Sequence, residues 1–194
     1  MQGTRIASSA LVAGALLAAT LALTSAAPGK SATAKSKQVA RGEYLVMVMG
    51  CGDCHTPGTL YGSPDFNRRL SGSEMGWKGP WGVSYARNLT ADSETGIGKW
   101  TEKNIVDAMR TGMRPDGSVI QPPMPWPNLA QLTDEDAYAI AAYLKHIPTV
   151  AHHVPDRLAP GQTATGPVLE FPPPTAWDAP RSEAGSAPGG GAGK

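Results

Sequence analysis

The chain has 194 residues, enough for one folded domain with flanking segments, and its 17 Lys and Arg against 16 Asp and Glu leave a formal net charge of +1. This balance lacks the basic excess of proteins that bind nucleic acids or anionic membrane surfaces, so we expect neither kind of ligand. The 23 glycines and 18 prolines exceed the usual share and indicate segments outside a packed core.

The N-terminal segment has one positive charge at Arg5, an apolar stretch over residues 6–23 and then small residues. This order predicts a secretory signal peptide over residues 1–27, cleaved near Ala26 or Ala27, and therefore export to the periplasm. An uncleaved anchor is the alternative, because the stretch approaches the roughly 17 residues that span a bilayer. We then expect a linker over residues 28–37 and a folded domain over residues 38–150.

The first helix is predicted over residues 38–50. Tyr44, Met47, Val48 and Cys51 follow the i, i+3, i+4, i+7 spacing of one helix face. This apolar stripe is expected to lead directly into the sequence CGDCH, which begins at Cys51.

The pattern Cys51-x-x-Cys54-His55 is the attachment motif of c-type haem. The two thiols add to the vinyl groups of one porphyrin, because a two-residue spacer lets a single turn of chain present both sulfur atoms to the ring. His55 follows at once and is expected to give the iron its proximal nitrogen ligand. The motif therefore predicts one covalently bound haem c.

Three other interpretations of the two cysteines compete with haem attachment. A thioredoxin-like redox pair would need a preceding strand in a βαβ unit, which the sequence does not indicate. A zinc site would need two further ligands, for which only His146, His152 and His153 remain. A structural disulfide over so short a spacer would add little stability. Haem attachment is favoured over all three.

Residues 56–100 are rich in Gly and Pro and longer than most loops without regular structure, so we expect them to pack on something. Four aromatic residues here combine an apolar ring with a single donor, which suits the edge of a haem: Trp77, Trp81, Tyr85 and Trp100. Arg87 and Arg110 are candidate partners of the haem carboxylates by charge. An ordinary surface or core role is the simpler expectation for each of them.

A second helix is predicted to begin after Thr101 as N-cap and to end at Gly112. Its buried face would carry Ile105, Ala108 and Met109.

The stretch VIQPPMPWPNLAQL holds Met124 between two prolines, in a segment that can be neither a helix interior nor a central strand. Of the seven methionines, this one alone lies in a rigid loop well downstream of the haem motif. We therefore predict that the prolines hold its sulfur against the iron as the second axial ligand. A core gap-filling role is the alternative for Met124, and His146, His152 or His153 could instead give bis-histidine ligation.

The third helix has the clearest boundaries, with Thr133 as N-cap, three acidic residues in its first turn, Lys145 at its C-terminus and Pro148 as a stop. Beyond it, residues 151–194 contain few large apolar side chains, so we expect a disordered tail. No stretch alternates like a strand. The predicted fold class is all-α, with the helices wrapped around one haem.

Three blocks of the sequence, in order along the chain, resemble class I cytochrome c domains. They are GEYLVMVMGCGDCHTPG, ARNLTADSETGIGKWTEKNIVDAMRTG and PPMPWPNLAQLTDEDAYAIAAYLKHIP. The resemblance covers residues 41–150 and is strongest to the c-type cytochrome subunits of bacterial periplasmic alcohol, aldehyde and gluconate dehydrogenases. Those subunits commonly hold several such domains, whereas the haem motif occurs once here.

This resemblance implies the cytochrome c fold, in which Cys51 and Cys54 bind haem and His55 and Met124 are axial ligands. It also implies that the first and third predicted helices cross near Gly42 and Tyr143.

We therefore expect a periplasmic electron carrier of a respiratory chain rather than an enzyme. It would take electrons from a dehydrogenase and pass them to a terminal oxidase or another cytochrome. Membrane contact would come through a partner or a retained N-terminal anchor. The alternative is a peroxidase-like haem enzyme or a sensor, whose sixth ligand is labile or absent.

Overall fold

A computed structural model describes residues 30–172. These residues form five α-helices, two single-turn 3-10 helices and one three-stranded sheet. The helices are α1 (Lys30–Val48), α2 (Cys51–His55), α3 (Glu102–Thr111), α4 (Trp126–Leu129) and α5 (Asp134–Leu144). The 3-10 helices are Thr59–Tyr61 and Phe66–Arg68, and the strands are β1 (Gly76–Gly79), β2 (Gly82–Tyr85) and β3 (Val168–Glu170).

Helices α1 and α5 cross at Gly42. A Cβ atom on Gly42 would lie 1.9 Å from the carbonyl oxygen of Ala139 and 2.8 Å from the Cβ atom of Tyr143. Only a residue without a side chain allows this approach, which buries Leu45 and Val46 of α1 in the core. The predicted crossing is confirmed.

Helices α3 and α5 begin and end where their local signals predict. The Thr101 hydroxyl accepts a hydrogen bond from the amide of Asn104, whose side chain accepts one from the amide of Thr101. Gly112 ends α3 with a left-handed φ of 68°. The side chain of Thr133 caps α5 by accepting a hydrogen bond from the amide of Asp136.

Helix α1 begins earlier than predicted. Residues 30–37, expected to form a linker, are its first two turns. Their alanines and lysines are strong helix formers, and Lys35 makes an ion pair with Glu102 at the start of α3.

The predicted apolar stripe of α1 faces solvent, so that prediction was wrong. Tyr44, Met47 and Val48 are 56%, 57% and 60% exposed, whereas Leu45 and Val46 are buried. Helical periodicity fitted either face, and the close contact with α5 determines which face is buried.

The fold is mostly helical with a small sheet, which corrects the all-α prediction. Strand β1 pairs antiparallel with β2, with Trp77 opposite Ser84. It pairs parallel with β3, with Trp77 opposite Leu169. The strands are only three or four residues long, too short for alternation to be recognised in the sequence.

Residues 151–172, here called the C-terminal strap, pack on the domain instead of forming the expected tail. Leu158 exchanges two backbone hydrogen bonds with Val83, of 2.9 and 3.0 Å. The Phe171 ring lies 6.2 Å from that of Trp77 and 5.5 Å from that of Trp81, between centroids. The rest of the predicted tail, residues 173–194, lies outside the described residues.

The predicted signal peptide, residues 1–27, also lies outside the described residues. Within residues 30–172, no helix combines the length and the apolar character needed to cross a bilayer.

Candidate functional site

A cavity of about 800 Å³ lies among all five helices, the β1–β2 hairpin and the strap. Its wall is largely apolar and includes Val46, Ile97, Ile105, Met109, Ile140 and Leu144. All four predicted site residues also line it: Cys51, Cys54, His55 and Met124. The fold thus brings the motif and the distant methionine to one cavity.

The motif residues form α2, a single helical turn. Gly50, in the left-handed region at φ 68°, redirects the chain between α1 and α2. Cys51 and Cys54 are three residues apart in this turn and therefore lie on one face of it. Both thiols are free and half-buried.

The imidazole of His55 is buried and oriented. Its Nδ1 atom lies 2.7 Å from the carbonyl oxygen of Arg87. Since a carbonyl only accepts, Nδ1 is the donor. Burial lowers the pKa of His55, and the hydrogen bond to the Arg87 carbonyl offsets this only in part. A neutral ring protonated at Nδ1 keeps the lone pair on Nε2 available for a metal.

The two thiols are poorly suited to disulfide exchange. Burial raises the pKa of Cys51 and of Cys54, and the nearby Asp53 carboxylate raises both further. Redox-active Cys-x-x-Cys pairs instead have a lowered pKa, because the thiolate is the nucleophile. The electrostatics therefore disfavour a thioredoxin-like role.

Met124 is half-buried and packs on the hydrophobic core. Its carbonyl oxygen accepts a 2.9 Å hydrogen bond from the amide of Trp126, at the start of α4. The hydroxyl of Ser84 donates to the carbonyl of Pro122 and so ties the proline-rich loop to β2. Met109, in α3, also lines the cavity.

The three alternative histidine ligands occupy different places. Nδ1 of His146 lies 2.7 Å from the carbonyl oxygen of Ala142, and His152 contacts Glu74; neither histidine lines the cavity. His153 does line it. Of the three, only His153 remains a candidate ligand.

Three of the four predicted aromatic residues, Trp77, Tyr85 and Trp100, line the cavity. Trp81 does not; its indole N–H donates to the carbonyl of Trp77 at 3.2 Å.

Of the two predicted arginines, Arg87 lines the cavity and Arg110 does not. Arg110 instead donates to the carbonyl of Ala130 and to the carboxylate of Asp134, both at 2.7 Å.

Sequence reasoning missed two further arginines of the cavity wall, Arg114 and Arg157. Arg114 follows the end of α3, and no local pattern distinguishes it from a surface arginine. Arg157 belongs to the strap, whose packing on the domain was not predicted.

Residues 39–148 match the protein family described as Cytochrome c, and this match covers more than half of the chain. The chain belongs to the cytochrome c family. This cytochrome c domain is 39% identical over 108 residues to the cytochrome c subunit of a quinone-type alcohol dehydrogenase from Gluconobacter oxydans (strain 621H), covering 56% of this chain and 21% of that protein. It is 36% identical over 108 residues to the gluconate 2-dehydrogenase cytochrome c subunit of Pantoea cypripedii, covering 56% of this chain and 23% of that protein.

A third relative is a diheme cytochrome c-type protein of Cereibacter sphaeroides. It is 36% identical over 119 residues, which cover 57% of this chain and 36% of that protein. The chain therefore spans about a fifth of the length of the dehydrogenase subunits and a larger share of the diheme protein.

A cytochrome c domain implies covalently bound haem c, and the residues of this cavity fit that group. Two thiols lie on one face of the α2 turn, and the neighbouring His55 is held neutral with Nε2 available. All three residues line a cavity with a largely apolar wall. The cytochrome c family and the dehydrogenase cytochrome subunits among its relatives suggest electron transfer.

Proposed function

We propose that this protein is a periplasmic one-electron carrier with a single haem c. The observation that supports this proposal is that both thiols of the motif, His55 and Met124 line the same largely apolar cavity. Cys51 and Cys54 would hold the group through thioether bonds, and His55 and Met124 would be its axial ligands. When bound, haem supplies one-electron chemistry by cycling its iron between the ferric and ferrous states.

The residues around the cavity favour a carrier over an enzyme. If His55 and Met124 supply an imidazole nitrogen and a thioether sulfur to the iron, no ligand position would be left open for a substrate. Ligation by methionine raises the reduction potential relative to ligation by two histidines. The largely apolar wall formed by α1, α3 and α5 would limit the access of water to the iron of a bound haem.

The proposed partners are redox proteins. Two relatives are named as cytochrome subunits of alcohol and gluconate dehydrogenases, so we propose a dehydrogenase as electron donor. A terminal oxidase or another cytochrome of a respiratory chain would be the acceptor. The signal-like N-terminus supports export to the periplasm.

Mass spectrometry and a pyridine haemochrome spectrum of protein from cells that mature c-type cytochromes test the cofactor. We expect one haem per chain that stays attached after denaturation. A chain without covalent haem would reject the proposal, and the Cys51→Ser, Cys54→Ser double variant should lose the haem.

A near-infrared sulfur-to-iron charge-transfer band tests the axial methionine. We expect Met124→Ala to lose this band, while Met109→Leu and His153→Gln keep it. Retention of the band in Met124→Ala would reject this ligand. Rapid carbon monoxide binding by the reduced wild type would favour a haem enzyme or sensor.

A further inference from the structure

The C-terminal strap lies beyond the residues that match the cytochrome c family, which end at 148. It nevertheless forms part of the cavity wall, to which it contributes His153, Val154, Asp156 and Arg157. The site is therefore completed by a segment outside the family domain.

Two contacts fix the strap at the cavity. The Nη1 atom of Arg87 donates to the carbonyl oxygens of Val154 and Pro155, at 3.1 and 2.8 Å, and its Nη2 atom donates to Asp156 at 3.1 Å. Val154 is buried against Gly72, where a Cβ atom would lie 2.4 Å from a methyl carbon of the valine. These contacts fix residues 154–156, and they therefore hold Arg157, which follows Asp156 in the chain, at the edge of the cavity.

Three guanidinium groups, those of Arg87, Arg114 and Arg157, line the same cavity. Burial and the positive charges of Arg87 and Arg157 lower the pKa of Arg114, although Asp116 opposes this. Like charges that gather at a partly buried site repel one another unless an anion lies between them.

The acidic residues of the cavity do not neutralise Arg157. Three of them line it, and each acts on another group. Asp156 pairs with Arg87 at 3.1 Å, and Glu94 pairs with Lys99 at 3.0 Å. Asp116 accepts a 2.9 Å hydrogen bond from the amide of Ser118, and its negative charge acts on Arg114. Within residues 30–172, the Arg157 side chain has no hydrogen-bond or ion-pair partner. It is a free guanidinium at the edge of a cavity that already holds two others.

We infer that the strap places Arg157 to bind, together with Arg114, a carboxylate of the haem. This inference rests on the proposed function. Haem carries two carboxylates, and a guanidinium binds such a group through two parallel hydrogen bonds. The added positive charge favours the ferrous form, so Arg157 raises the reduction potential. Arg157 is thus a positioning residue that the family domain alone does not contain.

The test is the midpoint reduction potential of the full holoprotein, measured by spectroelectrochemistry. We expect Arg157→Gln to lower the potential and Arg157→Lys, which keeps the charge, to restore most of the loss. Lys37→Gln is the matched control, because Lys37 is exposed and does not line the cavity; its potential should equal that of the wild type. An Arg157→Gln potential no lower than that of Lys37→Gln would overturn the inference.

High salt separates a bound carboxylate from a remote surface charge. The shift caused by Arg157→Gln should persist at 1 M salt, where the screening length is about 3 Å; its disappearance would also overturn the inference. Haem content separates the two proposals. A wild type without covalent haem rejects the proposed function, whereas loaded variants with an unchanged potential reject only the role of Arg157.

Discussion

The carbonyl oxygen of Arg87 accepts the hydrogen bond from Nδ1 of His55, and the side chain of the same arginine holds the C-terminal strap. The proposed iron ligand and the strap are therefore fixed by one residue, through its backbone and its side chain respectively. Because the contact with His55 uses the backbone, the two roles can be separated by substitution.

Replacing Arg87 by alanine should release the strap and leave His55 oriented. The Arg87 side chain donates three hydrogen bonds to the strap, and it is partly exposed to solvent. We therefore expect the free energy of unfolding to fall by only about 1 kcal/mol. The hydrogen-exchange rates of the backbone amides in residues 151–158 should rise strongly. Arg87→Lys is the control for charge, since lysine keeps the positive charge but lacks the planar guanidinium with its several N–H donors. Unchanged protection of the strap in Arg87→Ala would contradict this prediction.

Gly42→Ala should destabilise the domain. The added methyl group would lie 1.9 Å from the carbonyl oxygen of Ala139, so α1 and α5 must separate. Overpacking of this kind costs about 3 kcal/mol, measured as the free energy of unfolding in a denaturant titration. Glu43→Ala, at the exposed neighbouring position, is the matched control and should change stability little. Equal stability of the two variants would show that the helices adjust without cost.

Elements with local signals were predicted from the sequence, and elements that depend on distant partners were not. Helices α3 and α5 carry their caps in the chain itself, at Thr101 and Thr133. The sheet forms only when β3 meets β1, about 90 residues earlier in the chain. Likewise, the buried face of α1 is determined by the contact of Gly42 with α5.

The candidate site likewise contains residues that a local sequence pattern predicts and residues that only the fold brings to the cavity. The haem motif is contiguous, and the prolines around Met124 distinguish it from the other methionines. Arg114 and Arg157 became candidates only once the fold placed them at the cavity. The strap could not be predicted from composition, since a few contacts, such as that of Phe171 with the hairpin, are enough to fix a segment rich in proline.

Asn88→Ala should cost about 3 kcal/mol in the free energy of unfolding, because it leaves buried polar groups without partners. Asn88 is 1% exposed. Its Nδ2 atom donates to the hydroxyl of Thr95 at 3.0 Å and to the carbonyl of Val150 at 2.8 Å, and its Oδ1 atom accepts from the amide and hydroxyl of Thr90. The exposed Asn67→Ala is the matched control. A loss below that of the control would mean that water replaces these bonds.

The strap should open in acid, because Glu74 helps to hold it. The carboxylate of Glu74 lies 2.8 Å from Nε2 of His152, in the strap, and 3.4 Å from Nη1 of Arg68. Burial alone would raise the pKa of Glu74, but hydrogen bonds from its own amide and from His152, with the charges of His152 and Arg68, lower it overall. A lowered pKa in the folded state means that the ionised form stabilises the contact.

This stabilisation is fully present above the ordinary glutamate pKa of 4.5 and is lost as the pH falls through the lower pKa of the folded state. Hydrogen exchange of the strap amides, corrected for intrinsic rates, should therefore show weaker protection in acid. The glutamine of Glu74→Gln cannot ionise. The strap amides of this variant should therefore be less protected from exchange at neutral pH, and they should not show the further loss of protection on acidification. Carboxylates elsewhere titrate equally in both proteins, and the difference between them isolates Glu74. Parallel pH profiles for the two proteins would show that the ion pair with His152 does not hold the strap.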